Sequence, residues 1–330
     1  MIIFFSAAFV FMFEGCNVNN PGCGGIDPGI IPQPPYDSPI WHPRRQFIGF
    51  NHIPLKKINY PYGQGCWGEQ QWDGTSGFWL INPDGTNMRK IFPYTLLSPS
   101  WSPDGHWIAF SAGAQIYKMK FTGTTFDTTS LVKLTTEGRN FLPAWSTDGQ
   151  WIAYTESICE GTNTCGVWLM RSDGTQRKFL VAYGNYPCWD KSGKKILYIT
   201  RAVTNSGNVI GDSLWTFDTN TNAKSFLYLL SGENFDNRSP KYAPDRTRIA
   251  FWSSGNLWIM DSTGGNLRKL TTQGVDVSFG LPFSWSPDGS SIVYTDYRSD
   301  DWGYNNGTLW ILNPNTGGKK QLTFNLQTKD

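Results

Sequence analysis

Residues 101–110 read WSPDGHWIAF, an aromatic residue, a rigid four-residue turn and a short apolar run. Proline presets φ for the second position of a type I turn, and glycine tolerates the positive φ that ends it. The run that follows is rich in aromatic and β-branched residues, which suit a half-buried strand. The stretch is one hairpin: the end of a strand, its turn and the start of the next strand. The same pattern recurs as WHPRRQFIGF, WSTDGQWIAY, WDKSGKKILY, YAPDRTRIAF and WSPDGSSIVY, beginning at Trp41, Trp145, Trp189, Tyr242 and Trp285. In every copy an Ile stands seven residues after the first aromatic (Ile48, Ile108, Ile152, Ile196, Ile249, Ile292), and Phe50, Phe110, Tyr154, Tyr198, Phe251 or Tyr294 follows two later. Residues two apart share one face of a strand, so each copy has a defined buried side.

A further strand follows in each copy, with an aromatic at its second position: Trp79, Tyr117, Trp168, Trp215, Trp258 and Trp310. A basic-apolar segment then closes the unit as RKIF, VKLT, RKFL, RKLT or KKQLT, with the weaker KSFLYLL in the fourth. Each unit thus holds four short strands, and six units at a mean period of about 48 residues form a radial array of blades. The fold class is all-β, a six-bladed β-propeller of four-stranded antiparallel blades over residues 39–324. The turns HPRR and APDR lack the glycine and DKSG lacks the proline, so altered turns are expected there within an intact fold.

Composition agrees with this reading, since 16 Trp, 35 Gly and 20 Pro favour many short strands joined by tight turns. Lys plus Arg number 28 and Asp plus Glu 26, a net charge of +2. That balance gives no electrostatic footprint for nucleic acid, and membrane contact is expected only through a lipid anchor.

The chain opens on a thirteen-residue apolar run, Met1 to Phe13, too short to span a bilayer comfortably and suited to a secretory h-region, although no basic segment precedes it. Gly15-Cys16 fits a lipidation site, whereas Phe13 and Glu14 fit it poorly. Residues 1–16 therefore read as a signal peptide or lipoprotein signal with Cys16 as the lipidation candidate, 17–38 as a Pro/Gly-rich tether and 325–330 as a C-terminal tail. Export puts the protein in the bacterial cell envelope, periplasmic or at the outer surface, where disulfides persist. Cys159 and Cys165 bracket CEGTNTC and are the expected disulfide. Cys23 and Cys66 form a second pair on parity alone, and Cys188 reads as a buried free thiol.

The repeat resembles the TolB-like family of WD-type propeller repeats. PSWSPDGHWIAF, residues 99–110, reproduces that family's Pro-x-Trp-Ser-Pro-Asp-Gly-x-x-Ile-Ala-Phe almost letter for letter, and five of the six units carry Pro two residues before the aromatic. The resemblance covers residues 39–324 and implies a non-catalytic scaffold that binds another protein.

The residues themselves offer little catalytic chemistry. Only His42, His52 and His106 could act as a base; the first and third read as solvated turn residues and the second as the start of a loop. The nearest string to a Gly-x-Ser-x-Gly elbow is GTSGF, which fails at its last position. No zinc-ligand spacing occurs, and Asp300, Asp301 and Asn305 in RSDDWGYNNG do not match a calcium loop. No catalytic residue, metal or cofactor is expected, and the recurring Asp104, Asp148 and Asp288 are expected to cap their own turns.

Recognition is more legible. Alternating strand direction puts the second-to-third and inter-blade connections on one face. Separations between first-strand and third-strand aromatics run 38, 16, 23, 26, 16 and 25 residues around the ring, so length variation concentrates on that face. The two short connections, SAGAQ and SSGN, belong to opposite blades, two and five. The long ones, 51–77, 155–166, 199–213 and 295–308, would stand as walls of a groove. The candidate binding residues are Trp67, Trp72, Glu160, Arg201, Asp300, Asp301 and Trp302, and the expected occupant is a protein or extended peptide. A glycan stacked on Trp67 and Trp72 is the alternative, and a hydrolase or lyase using unrecognised carboxylates ranks third.

Overall fold

The computed structural model describes residues 36–53, 55–59, 69–72, 74–157, 164–203, 209–231, 238–272, 283–296 and 307–324. Among them no helix is long and apolar enough to cross a membrane. Blade one comprises β1 (Tyr36–Trp41), β2 (Ile48–His52), β5 (Gly77–Ile81) and β6 (Arg89–Phe92), with β3 (Leu55–Asn59) and β4 (Glu69–Trp72) inserted as a separate hairpin. Blade two is β7 (Leu97–Trp101), β8 (Trp107–Ala112), β9 (Gln115–Phe121) and β10 (Phe126–Lys133). Blade three is β11 (Asn140–Trp145), β12 (Trp151–Glu156), β13 (Gly166–Arg171) and β14 (Lys178–Ala182). Blade four is β15 (Asn185–Trp189), β16 (Lys195–Val203), β17 (Val209–Asp218) and β18 (Lys224–Ser231). Blade five is β19 (Arg238–Tyr242), β20 (Arg248–Ser253), β21 (Asn256–Asp261) and β22 (Arg268–Lys269). Blade six is β23 (Phe283–Trp285), β24 (Ile292–Asp296), β25 (Thr308–Leu312) and β26 (Lys319–Gln321). Strand β1 starts at Tyr36, inside the stretch read as tether.

Each sheet pairs its four strands in sequence order. The six opening strands touch one another in turn, β1 to β7 to β11 to β15 to β19 to β23 and back to β1, so they surround the axis and the fourth strands form the rim. No blade borrows a strand from another segment among the described residues. Blade six instead meets blade one by packing: Trp41 N–H donates to Ser284 Oγ (3.1 Å) and Lys320 Nζ to the Asp84 carbonyl (2.9 Å).

Register explains the repeat. The first aromatic lies opposite the recurring Ile, as in Trp41 to Ile48, Trp101 to Ile108 and Trp145 to Ile152. The second-strand aromatic lies opposite the third-strand one, as in Phe50 to Trp79, Tyr154 to Trp168 and Tyr198 to Trp215. Such cross-strand pairs are the unit of sheet stabilisation. All six Ile are 0% exposed. Hydrophobic clusters fall one to a seam, each drawing on two neighbouring blades; one joins Phe78 and Leu80 to Trp101 and Ile108, another joins Ile48 and Phe50 to Val293 and Leu309. First-strand Trp rings are buried, but Trp79, Trp168, Trp215, Trp258 and Trp310 are only half-buried. Core packing therefore explains the first set fully and the second set in part.

The turns behave as their chemistry demands. Asp104 Oδ1 accepts from Ser102 Oγ (2.5 Å) and the His106 N–H (3.0 Å), and Asp148 and Asp288 repeat this. The expected alterations at APDR and DKSG do not occur. Arg246 takes the glycine position at φ 66° and its N–H donates to Ala243 O (3.0 Å), as Gly105 N–H does to Ser102 O (2.8 Å). In the fourth unit Gly193 N–H donates to Asp190 O (3.1 Å) and Asp190 itself accepts the following N–H groups. Only HPRR departs: Arg45, at the glycine position, does not take the left-handed φ that Gly105 and Arg246 adopt. The His42 imidazole is 1% exposed, which corrects its reading as a solvated turn residue.

Candidate functional site

The variable face has low and high sectors. Strands β8 and β9 are joined by Gly113 and Ala114 (φ 53° and 61°), and β20 and β21 by Ser254 and Gly255 (φ 48° and 68°). Positive φ at both central residues is the type I′ geometry that matches strand twist, so blades two and five end flush. Blade one carries the β3–β4 hairpin. In blade four the segment 199–213, expected as a connection, is mostly strand: pairing continues through Arg201 opposite Asp212 to Val203 opposite Val209. Three residues beyond Thr200, at roughly 3.3 Å each, lift this sheet about 10 Å further than its neighbours.

Of the predicted binding residues, Arg201 lies in β16 with Nε 3.9 Å from Asp212 Oδ1, its side chain exposed and the Asp212 side chain buried. Trp72 lies in β4 opposite Leu55. Trp67, Glu160, Asp300, Asp301 and Trp302 lie outside the described residues, as do Cys16, Cys23, Cys66 and Cys159. Of the predicted binding residues, the described set thus holds Arg201 and the backbone of Trp72. Cys165 is disulfide-bonded. Cys188 is free and half-buried, and burial raises its thiol pKa. No group of three or more His, Cys, Asp or Glu side chains among the described residues is arranged to hold a metal.

A polar cluster that the sequence reading missed anchors the connection of blade three. Arg177 Nε donates to Tyr154 OH (2.9 Å), its Nη2 is 3.9 Å from Glu156 Oε2, and its guanidinium lies 5.3 Å from the Trp168 ring centre. Trp168 Nε1 in turn donates to Thr164 O (2.9 Å), while Ser157 N–H donates to Arg139 O and Tyr183 N–H to Cys165 O. Both ends of the connection are thus fixed to the scaffold. Burial raises the Glu156 carboxyl against the opposing pull of Arg177. One signal was available: Arg177 precedes by two residues Phe179, which lies opposite Trp168, so its side chain shares that face. His52 is likewise no loop residue. It ends β2, is 8% exposed, and stacks on Tyr36 with ring centres 4.3 Å apart.

No protein-family model matches the chain. A stretch of 115 residues, 33% of this chain and 16% of the relative, is 30% identical to "Uncharacterized peptidase YuxL" of Bacillus subtilis (strain 168). A stretch of 35 residues, 10% of this chain and 8% of the relative, is 54% identical to "Tol-Pal system protein TolB" of Nitratidesulfovibrio vulgaris. Superposition on TolB of Acinetobacter baumannii gives a TM-score of 0.57 at 20% identity, covering 74% of this chain and 59% of that one. By fold, the chain is a six-bladed β-propeller similar to that of TolB. In all three comparisons the match spans less than two thirds of the relative's length. The propeller thus offers a ring with two low blades, one blade lengthened by continued strand pairing, one carrying an inserted hairpin, and an anchored loop base beside Glu156.

Proposed function

We propose that this TolB-like propeller is a non-catalytic, exported scaffold of the bacterial cell envelope that binds an extended segment of a protein partner across its variable face. The observation that carries the reading is the contrast between the two-residue turns of blades two and five and the inserted hairpin of blade one and lengthened sheet of blade four. Low blades on opposite sides of the ring leave a path over the axis. An extended peptide suits it, because backbone groups and alternating side chains are both read along its length. Trp67 and Trp72 from blade one, Glu160 from blade three, Arg201 from blade four and Asp300, Asp301 and Trp302 from blade six would line that path. The apolar start of the chain and the disulfide at Cys165 support an oxidising, exported location, with a lipid at Cys16 as the anchor. The match to a TolB supports a protein partner.

The test is a pull-down from envelope extract with the full chain and with a variant carrying a Gly-Ser insertion after Ser254. The expected result is a reproducible protein partner that the variant loses at an unchanged unfolding midpoint. Equal capture by both proteins would place docking elsewhere. Binding on a glycan array that disappears in Trp67→Ala and Trp72→Ala, with no protein captured, would replace this reading by glycan recognition.

A further inference from the structure

On the face of the Ser-Pro-Asp-Gly turns, opposite the variable loops, the seam between blades two and three opens into a cleft of about 250 Å3. Trp107 and Lys118 line it from blade two, Asp148 and Gln150 from blade three, with Asp104 of the β7–β8 turn and Trp145 of β11. A cavity of about 150 Å3 accommodates benzene, so this volume takes a six-membered ring together with its substituents.

Its polar groups are of mixed sign. Lys118 Nζ lies 4.6 Å from the Trp107 ring centre and donates to Ser172 O (2.7 Å), which leaves two of its protons for a ligand. The hydrogen bonds of Asp104 and Asp148 to their own turns all fall on Oδ1, leaving Oδ2 of each as an acceptor. The buried indole N–H of Trp145 has no partner among the described residues. The equivalent indoles of Trp189 and Trp285 donate to Ala144 O (3.0 Å) and Lys241 O (3.3 Å) of the preceding blade. Trp41 and Trp101 share the orphan N–H, and Trp145 is the one of the three among the lining residues of the cleft.

Two carboxylates beside the cleft disfavour an anion, and the Lys118 ammonium disfavours a cation. A ring of hydroxyl groups meets both conditions, because each hydroxyl donates and accepts. We propose that this cleft binds a single pyranose ring of a glycan, at a site separate from the groove of the variable face.

The experiment is saturation-transfer NMR on the full chain with glucose, galactose and N-acetylglucosamine. The expected result is saturable, millimolar binding of at least one sugar. Gln150→Ala and Lys118→Met should each weaken it about tenfold, one lost hydrogen bond's worth, while Arg201→Ala on the variable face leaves it unchanged. Gln150 makes no side-chain hydrogen bond within the described residues, so its variant reads binding even where Lys118→Met disturbs the seam. Absence of saturable binding for all three sugars overturns the proposal. So does binding that survives both cleft variants at full strength, or that Arg201→Ala weakens equally.

Discussion

His42 of blade one donates from Nε2 to the carbonyl of Gly105 in blade two at 3.1 Å, while its Nδ1 accepts the backbone N–H groups of Arg44 and Arg45 at 3.1 and 3.0 Å. Both ring nitrogens are committed, and only the neutral ring satisfies them. Burial holds the pKa down at about 4, with the Gly105 carbonyl opposing and Arg45 assisting. The unfolded chain titrates near 6.5. Between those values the unfolded chain takes up a proton that the folded one refuses, so this contribution is complete above about pH 6.5 and is lost as the pH falls toward 4. Urea titrations at pH 7 and pH 5 should show about 2 kcal/mol of stability lost through this group. His42→Gln should be less stable at pH 7 and should lack that part of the pH dependence. An unchanged slope in the variant would assign it to other groups.

The same contact makes two glycines unequal. A Cβ on Gly105 (φ 73°) would lie 2.3 Å from the His42 ring, whereas one on Gly113 (φ 53°) meets nothing within 4 Å. Both alanine variants bear the cost of a left-handed backbone, about 1 kcal/mol. Gly105→Ala should cost about 2 kcal/mol more as the seam is forced apart. Equal midpoints for the two variants in thermal unfolding would contradict the packing of blade one on blade two.

Burial also separates the two tryptophan positions. Trp101 is 7% exposed and packs against Phe121 and Phe126 with ring centres 5.2 and 5.8 Å away. Trp101→Ala should cost about 3 to 5 kcal/mol. Trp168 is half-buried, and Trp168→Ala should cost about 2 kcal/mol. Its larger effect should be local, through the lost bond to Thr164 O, and read as faster hydrogen exchange at Ser157 and Tyr183. Denaturant titration gives the first comparison and exchange mass spectrometry the second.

The ring, its register and its turns were legible because they depend on residues close in sequence: Trp101 faces Ile108 across a single turn, and Asp104 caps the turn that contains it. Three kinds of feature were not. His42 owes its burial to Gly105, 63 residues away, and nothing local distinguishes a histidine that a neighbouring blade covers from one in solvent. The insertions of blades one and four were read as connections because their repeat register ends at His52 and Thr200, yet pairing resumes in β3–β4 and continues to Val203. The residue before each inner-strand proline, Ser38, Ser98, Leu142, Tyr186 and Ser239, sits at φ between 50° and 57° where the ladder breaks register. Local preference disfavours that conformation, and the packing of five neighbouring strands around one axis overrides it.

The threonines of VKLT, RKLT and KKQLT were likewise read only as strand ends. The structure gives them a task at the variable face: Thr135, Thr271 and Thr323 Oγ1 accept the N–H groups of Ile116, Leu257 and Leu309 at 2.9, 3.0 and 2.9 Å, tying the fourth strand to the third. Thr271 also donates to Asn256 Oδ1 (3.2 Å) and is 5% exposed. Thr271→Val keeps the shape and removes the acceptor, leaving a buried N–H unpaired at a cost of about 1 to 3 kcal/mol. Thr271→Ser, which restores the oxygen, should recover most of that loss. Because Asn256 begins the strand that follows the Ser254–Gly255 turn, the valine variant should also loosen the low blade over which the peptide is proposed to pass. Chemical denaturation of the pair, with hydrogen exchange at Leu257, checks this: equal stability for the valine and serine variants would show that the hydroxyl contributes nothing and that packing alone holds β22 to β21.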